Sequence, residues 1–302
     1  MHTARHSDYV PQRADRSRFL MANGLRYHVR EWGEPGAPLL FMVHGWMDVA
    51  ASFQFLVDAL KGEWHVVAPD WRGYGKTAWS QQKSYWIPDY LADLESLMDH
   101  FSPAEPVRLL GHSLGGNVAT LYAGVRPARI RALINLEGLG LGGDAPERAG
   151  PRLAKWLDEM RNPPTLRTYD SFEEVAARLQ KTNPRLSAER AGFLAKHWSE
   201  SDANGRFSIL GDPAHKVVNP YLYRADEIAT IWKSVTAPVL WIMARESDYA
   251  KRMEAYPGYP ERIALIDHVR REWVDGAGHM MHHDQPEILA ALIEEFLSSV
   301  KA

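Results

Sequence analysis

Val107-Arg108-Leu109-Leu110-Gly111-His112-Ser113-Leu114-Gly115 carries the strongest structural signal in the chain. An apolar run of strand character meets a G-x-S-x-G turn, and a helical pattern (Leu114, Val118, Leu121, Tyr122, Val125) follows up to Pro127. A strand that turns this sharply into a helix leaves the central side chain exposed above the sheet, on a strained backbone. Glycines two residues before and after Ser113 give the strand and the helix room to approach each other.

Other segments repeat the pattern. Leu39 to Val43, His65 to Ala68, Arg131 to Leu136, Val239 to Met243 and Arg271 to Val274 are further apolar or strand-like runs. Continuous apolar runs mark strands buried on both faces. Ile87, Leu91, Leu94, Leu97, Met98 and Phe101 recur at helical spacing. Phe19 to Met21 and Leu25 to Trp32 flank Asn23-Gly24, a strong hairpin signal. Strands alternating with helices predict an α/β fold with a mostly parallel central sheet flanked by helices.

That rhythm breaks between Gly138 and Thr236. Helical patterns around Leu153 to Met160, Phe172 to Leu179 and Ala188 to Trp198 are separated by Pro163-Pro164, Pro184 and Gly205. This predicts a helical cap over 138–236, inserted in a core of 18–137 and 237–302, behind a loose tail of residues 1–17. Asp284, Pro286 and Glu287 predict the capped start of a last helix.

Composition removes several function classes. The 302 residues have a net charge of −3, so no nucleic acid or anionic membrane is expected as partner. The absence of cysteine excludes disulfides, thiolate metal sites and a cysteine nucleophile, and it suits a cytoplasmic protein. The N-terminus has no apolar core of a signal peptide, and no apolar run approaches the roughly 20 residues of a membrane span.

A serine hydroxyl needs a base in reach, and that base needs an orienting group. His279, in Gly276-Ala277-Gly278-His279 between a strand-like run and the last helix, is the candidate base. The orienting carboxylate belongs at a strand end between the serine and the histidine. Asp248, after Val239 to Met243, is the first choice. Glu137, after Leu133 to Leu136, and Glu246 are the alternatives. A glutamate reaches one methylene further, so it would stand off from the histidine on a neighbouring strand. The developing oxyanion needs two backbone N–H donors, assigned to Leu114 and to Trp46 in His44-Gly45-Trp46. His112 and Arg72 are read as supporting residues, with Arg72 pairing a loop carboxylate such as Asp70. His282 and His283 resemble a metal tract. With no cysteine and no paired acidic ligand nearby in sequence, they are read as shaping the rim, and no metal is expected.

His44-Gly45-Trp46, Asp70-Trp71-Arg72-Gly73-Tyr74-Gly75, Gly111-His112-Ser113-Leu114-Gly115-Gly116 and Gly276-Ala277-Gly278-His279 together resemble the α/β-hydrolase superfamily, in its order and over about Phe19 to Val300. Within it the chain is similar to capped bacterial hydrolases akin to serine hydrolase-like proteins. The resemblance implies a Ser113–His279–Asp248 triad, with Trp46 and Leu114 as oxyanion donors. Ala244-Arg245-Glu246-Ser247-Asp248 departs from the family's acid turn, with Ala244 where glycine is usual and one extra residue. Haloalkane dehalogenases and epoxide hydrolases share the fold but resemble it with aspartate at the elbow. The expected activity is a cofactor-free carboxylesterase on small to medium acyl esters. A hydrolase of carbon–carbon, amide or thioester bonds and a non-catalytic binding protein are the alternatives.

Overall fold

The structure, a computed structural model, describes residues 9–82 and 84–300. Eight strands form one sheet: β1 (Asp15–Ala22), β2 (Leu25–Trp32), β3 (Leu39–Val43), β4 (His65–Pro69), β5 (Val107–His112), β6 (Ile130–Leu136), and, late in the chain, β10 (Val239–Ala244) and β11 (Val269–Val274). Their spatial order is β1-β2-β4-β3-β5-β6-β10-β11. The β1–β2 and β2–β4 pairs are antiparallel, and every pairing from β4 to β11 is parallel. Asn23 and Gly24 turn the first hairpin at φ 45° and 75°, the left-handed geometry that matches strand twist.

Side chains alternate across the sheet, so each face has its own core. Phe41, Val67, Leu109, Leu133 and Trp241 face helices α2 (Ile87–Phe101) and α3 (Leu114–Val125). Leu40, Val66, Leu110, Ile134 and Ile242 face α1 (Gln54–Ala59) and the C-terminal α11 (Pro286–Ser299). This period-2 alternation within apolar runs is what a strand covered on both faces requires.

Between β6 and β10 the chain forms α4 (Ala149–Arg161), α5 (Phe172–Thr182), α6 (Ala188–Trp198) and α7 (Ala225–Trp232). It also forms a small antiparallel sheet, β7 (Thr168–Tyr169), β9 (Phe207–Ile209) and β8 (Ser199–Ser201), so the insertion is not wholly helical as expected. These strands are two or three residues long and lack an apolar run. The insertion has its own core, in which Val175, Leu179, Phe193 and Leu194 pack on Val49, Ala51 and Phe55 of the main body. His215 pins it further, stacked between Tyr74 and Tyr85 with ring centroids 3.7 Å away on each side. Helix α7 lies inside the expected cap boundary, yet it packs on α3: a Cβ on Gly124 would come within 2.3 Å of the Ile231 carbonyl oxygen.

After β10 come α8 (Asp248–Glu254) and α9 (Tyr259–Ile263), and after β11 a single turn, α10 (Met281–Asp284), leads into α11. Two terminal expectations change. Residues 1–8 of the expected tail lie outside the described residues, but Asp15 to Ser17 belong to β1, and the Tyr9 hydroxyl donates to Asp58 Oδ2 at 2.6 Å. Asp284 does not cap α11, whose N-cap is Gln285. Its carboxylate instead accepts from the Gly278 N–H at 2.9 Å. Among the described residues, no helix is long and apolar enough to cross a membrane.

Candidate active site

Ser113 sits between β5 and α3 with φ 53° and ψ −115°, a conformation that costs a non-glycine residue roughly 1–3 kcal/mol. The flanking glycines are forced by contact. A Cβ on Gly111 would lie 2.4 Å from the Gly115 carbonyl oxygen, and one on Gly115 would lie 2.2 Å from that of Val43. Any side chain there would push the helix off the sheet. The Ser113 N–H donates to the Leu136 carbonyl at 2.8 Å, tying the elbow to the end of β6.

The loop after β11 carries His279 across to the serine. Gly276 turns at φ 69°, and His112 Nε2–H donates to the His279 carbonyl at 2.8 Å, fixing the loop from below. The Ser113 hydroxyl is 2.9 Å from His279 Nε2, and His279 Nδ1 is 2.7 Å from Glu137 Oε2. A carboxylate only accepts hydrogen bonds, so this contact puts the ring proton on Nδ1 and leaves the Nε2 lone pair for the serine. His279 is partly exposed, while Glu137 is fully buried.

The carboxylate beside His279 is therefore Glu137, not Asp248, and this corrects the first choice made from the sequence. Glu137 follows β6 at φ 51°, and its side chain runs across the end of neighbouring β10. There Oε1 accepts the Ala244 N–H at 2.8 Å, and Oε2 accepts the Ser247 hydroxyl at 2.7 Å. The turn after β10 leads straight into α8 with Ser247 as N-cap, which accepts from the Ala250 N–H. Asp248 is thus a first-turn helix residue pointing outward. Its side chain is 93% exposed, with the Lys251 ammonium 3.9 Å away. Glu246 also stays away from His279; its Oε1 accepts the Gly276 N–H at 3.2 Å.

Leu114 is the first residue of α3, and its N–H is one of the four that a helix leaves without an intrahelical partner. The loop with Trp46 closes on the serine, since a Cβ on Gly45 would lie 3.1 Å from Ser113 Cβ. Trp46 is 52% exposed. His44 anchors this loop: its Nδ1–H donates to the Gly45 carbonyl, and its Nε2 accepts the Trp71 N–H, both at 2.8 Å. Burial lowers the His44 pKa, which keeps the neutral form that this arrangement requires. Met47, next along, is at φ 54°.

The supporting residues differ in detail from the expectation. Arg72 pairs not with Asp70 but with buried Asp93, through Nε and through Nη2 at 2.6 Å. Asp70 is taken by His28 Nδ1 at 2.6 Å and by the Ala50 N–H at 2.7 Å. His282 and His283 are buried beneath the His279 loop and do not line a rim. Sequence reasoning missed Asn135 and Ser247 altogether. Asn135 Oδ1 accepts the Gly138 N–H at 2.6 Å and fixes the turn that aims Glu137. Asn and Ser at strand ends have no distinguishing pattern in one sequence; only the fold shows what they hold.

Residues 38–286 match the family described as alpha/beta hydrolase fold. A serine hydrolase-like protein of Danio rerio is 25% identical over 281 residues, which cover 88% of this chain and 83% of that protein. A 3-hydroxybutyrate-oligomer hydrolase of Cupriavidus necator is 30% identical over 275 residues, covering 84% and 86%. Among solved structures, the thioesterase domain from the curacin biosynthetic pathway has a TM-score of 0.83 at 25% identity, over 95% of this chain and 100% of that one.

Proposed function

This chain belongs to the α/β-hydrolase family, and we propose that within it the protein is a serine hydrolase, a carboxylesterase acting on small to medium acyl esters. The observation that carries the reading is the continuous contact Ser113–His279–Glu137, with 2.9 Å and 2.7 Å between the polar atoms. Ser113 Oγ attacks the ester carbonyl carbon while its proton passes to His279 Nε2. Glu137 holds the ring by Nδ1 and stabilises the imidazolium that forms. The carbonyl electron pair moves onto oxygen, facing the N–H groups of Leu114 and Trp46. On collapse the bond to the leaving oxygen breaks, and His279 returns its proton there, releasing the alcohol. Water then repeats the sequence on the acyl-enzyme, and the carboxylic acid leaves.

These steps need no cofactor. The partner is a small-molecule ester, and the segment from 138 onward acts as a cap that selects the acyl chain. Two similar proteins support acyl transfer by their names, an oligomer hydrolase and a thioesterase domain. The second of these keeps a thioester as the nearest alternative substrate, since the same three residues would cleave it.

The test is labelling with a fluorophosphonate probe together with turnover of p-nitrophenyl esters of graded chain length. Labelling at Ser113, with hydrolysis abolished in Ser113→Ala, is expected. Labelling at another serine, or near-normal turnover by the alanine variant, overturns the assignment. A thioester turned over far faster than its oxygen analogue moves the substrate class.

A further inference from the structure

Beneath the His279 loop lies a buried cluster that this chemistry does not use. Asp48, from the loop after β3, meets His282 and His283 of α10, far away in sequence. The sequence offers no cysteine and no paired acidic ligands near these histidines, so from it no metal is expected there; the fold brings the Asp48 carboxylate to them. We infer that Asp48, His282 and His283 form a binding site for a first-row divalent transition ion such as Zn²⁺ or Co²⁺.

The geometry is that of a nearly assembled ligand set. One donor atom from each residue lies within 4.8 Å of the other two, and all three residues are buried. His282 Nε2 is 3.7 Å from Asp48 Oδ2, too far for a hydrogen bond. Two ligands on a tetrahedral ion with bonds of about 2.0–2.1 Å stand about 3.4 Å apart, so a small side-chain shift closes this pair.

A second observation points the same way. Asp48 Oδ2 and both ring nitrogens of His282 have no hydrogen-bond partner among the described residues. Buried polar atoms are rarely left so, and an ion is one thing that satisfies them. The remaining Asp48 oxygen is held by the Val49 N–H at 2.8 Å, by the Ser52 hydroxyl, and by Trp198 Nε1–H at 3.1 Å, which orients the carboxylate. His283 Nε2 lies 3.1 Å from Ser52 Oγ, so a serine oxygen stands beside the same set.

The chemistry chooses the ion. Two imidazoles and one carboxylate suit zinc, cobalt or nickel and not calcium or magnesium, which take oxygen. Phe53 and Phe55 lie against the two rings, with centroids 5.4 Å and 5.7 Å away, and supply an apolar wall. A bound ion would join the loop after β3, which carries Trp46, to the turn that follows His279.

The test uses the untagged full chain, freed of metal with a chelator and titrated with Co²⁺ by visible absorption and with Zn²⁺ by calorimetry. One ion per chain is expected, with the intense bands of four- or five-coordinate Co²⁺ and a rise in thermal midpoint. Asp48→Asn and His282→Gln should each weaken binding on the order of 100-fold or more, since even groups behind the ligands cost 10–100-fold when lost. His268→Gln, at an exposed position, should bind as the wild type does. X-ray absorption of the zinc-loaded wild type needs no variant, and should show two imidazoles with oxygen ligands. Failure of the wild type to bind saturably, equal binding by folded Asp48→Asn, or a zinc shell with fewer than two imidazoles each overturns the site.

Discussion

Replacing Glu137 by glutamine changes one atom and reverses a proton. The carboxylate accepts three donors: the Ala244 N–H at 2.8 Å, the Ser247 hydroxyl at 2.7 Å and His279 Nδ1–H at 2.7 Å. In Glu137→Gln the carbonyl oxygen keeps the Ala244 N–H, so the amide NH₂ faces Ser247 and His279. The Ser247 hydroxyl can rotate to accept. His279 Nδ1 must also accept, which moves the ring proton to Nε2, opposite Ser113. A base protonated on that side cannot take the serine proton. The expected loss in kcat is roughly 10⁴-fold, as for the equivalent change in a serine triad, or about 5.5 kcal/mol of barrier. Flipping the amide to spare the histidine would aim NH₂ at the Ala244 N–H, and a buried donor left unpaired costs about 1–3 kcal/mol. Asp248→Asn, on a side chain 93% exposed, should change kcat by less than about twofold, as surface changes usually do. The assay is turnover of p-nitrophenyl butyrate by both variants, with folding checked by circular dichroism. Glu137→Gln retaining more than a tenth of wild-type kcat, or Asp248→Asn failing instead, would refute the reasoning.

Three further outcomes follow from other parts of the molecule. Ser113→Gly and Ser113→Ala should both be inactive, but the glycine variant should be more stable by about 1–3 kcal/mol, because φ 53° and ψ −115° strain alanine and not glycine; equal urea midpoints would show that the elbow stores no strain. Arg72→Met should cost about 3–5 kcal/mol in urea unfolding, since it leaves Asp93 as a buried charge without its cation, and a loss under 1 kcal/mol would contradict this. Acid should destabilise the fold early. Burial, aided by neighbouring histidines, lowers the pKa values of His112 and His283, and burial lowers that of His44. His215 is lowered to about 3 and His197 to about 4 for the same first reason. Below about pH 6.5 the unfolded chain binds protons that these folded histidines refuse, so stability falls as pH falls from about 6.5 toward 4, by about 1.4 kcal/mol per unit for each fully buried one. Urea midpoints that do not move between pH 7 and pH 5 would argue against neutral buried histidines.

The sheet and the flanking helices were legible because their signals are local. Leu39 to Val43 and Val239 to Met243 are short apolar runs of the length of a strand buried on both faces, and a serine between spaced glycines marks its own turn. The acid was harder, because two carboxylates end neighbouring strands, and the sequence shows neither which backbone turns left-handed nor which side chain faces its neighbour. Glu137 is aimed by a positive φ and held by Ser247, 110 positions away. The partner of Arg72 was misjudged for the same reason: Asp70 is near in sequence, whereas Asp93 is near in space. Asp48 and His282 meet only through the fold. The small strands β7 to β9 left no periodicity to read.

Among the described residues, three of the four non-glycine residues with positive φ, Met47, Ser113 and Glu137, follow β3, β5 and β6, around the reacting atoms. The third is also the last residue before the insertion, and the very next one is locked. A Cβ on Gly138 would lie 2.4 Å from the Gly116 carbonyl carbon, and the Gly140 N–H donates to Asn117 Oδ1 at 2.7 Å. The insertion therefore leaves the main body through a rigid coupling bolted to α3, the helix that begins at the elbow. A lineage could exchange or lengthen everything beyond Gly140 without disturbing the aim of Glu137, and an engineer grafting a foreign segment should cut there. A splice one or two residues earlier would carry the new segment's own backbone preferences straight into the carboxylate that orients His279.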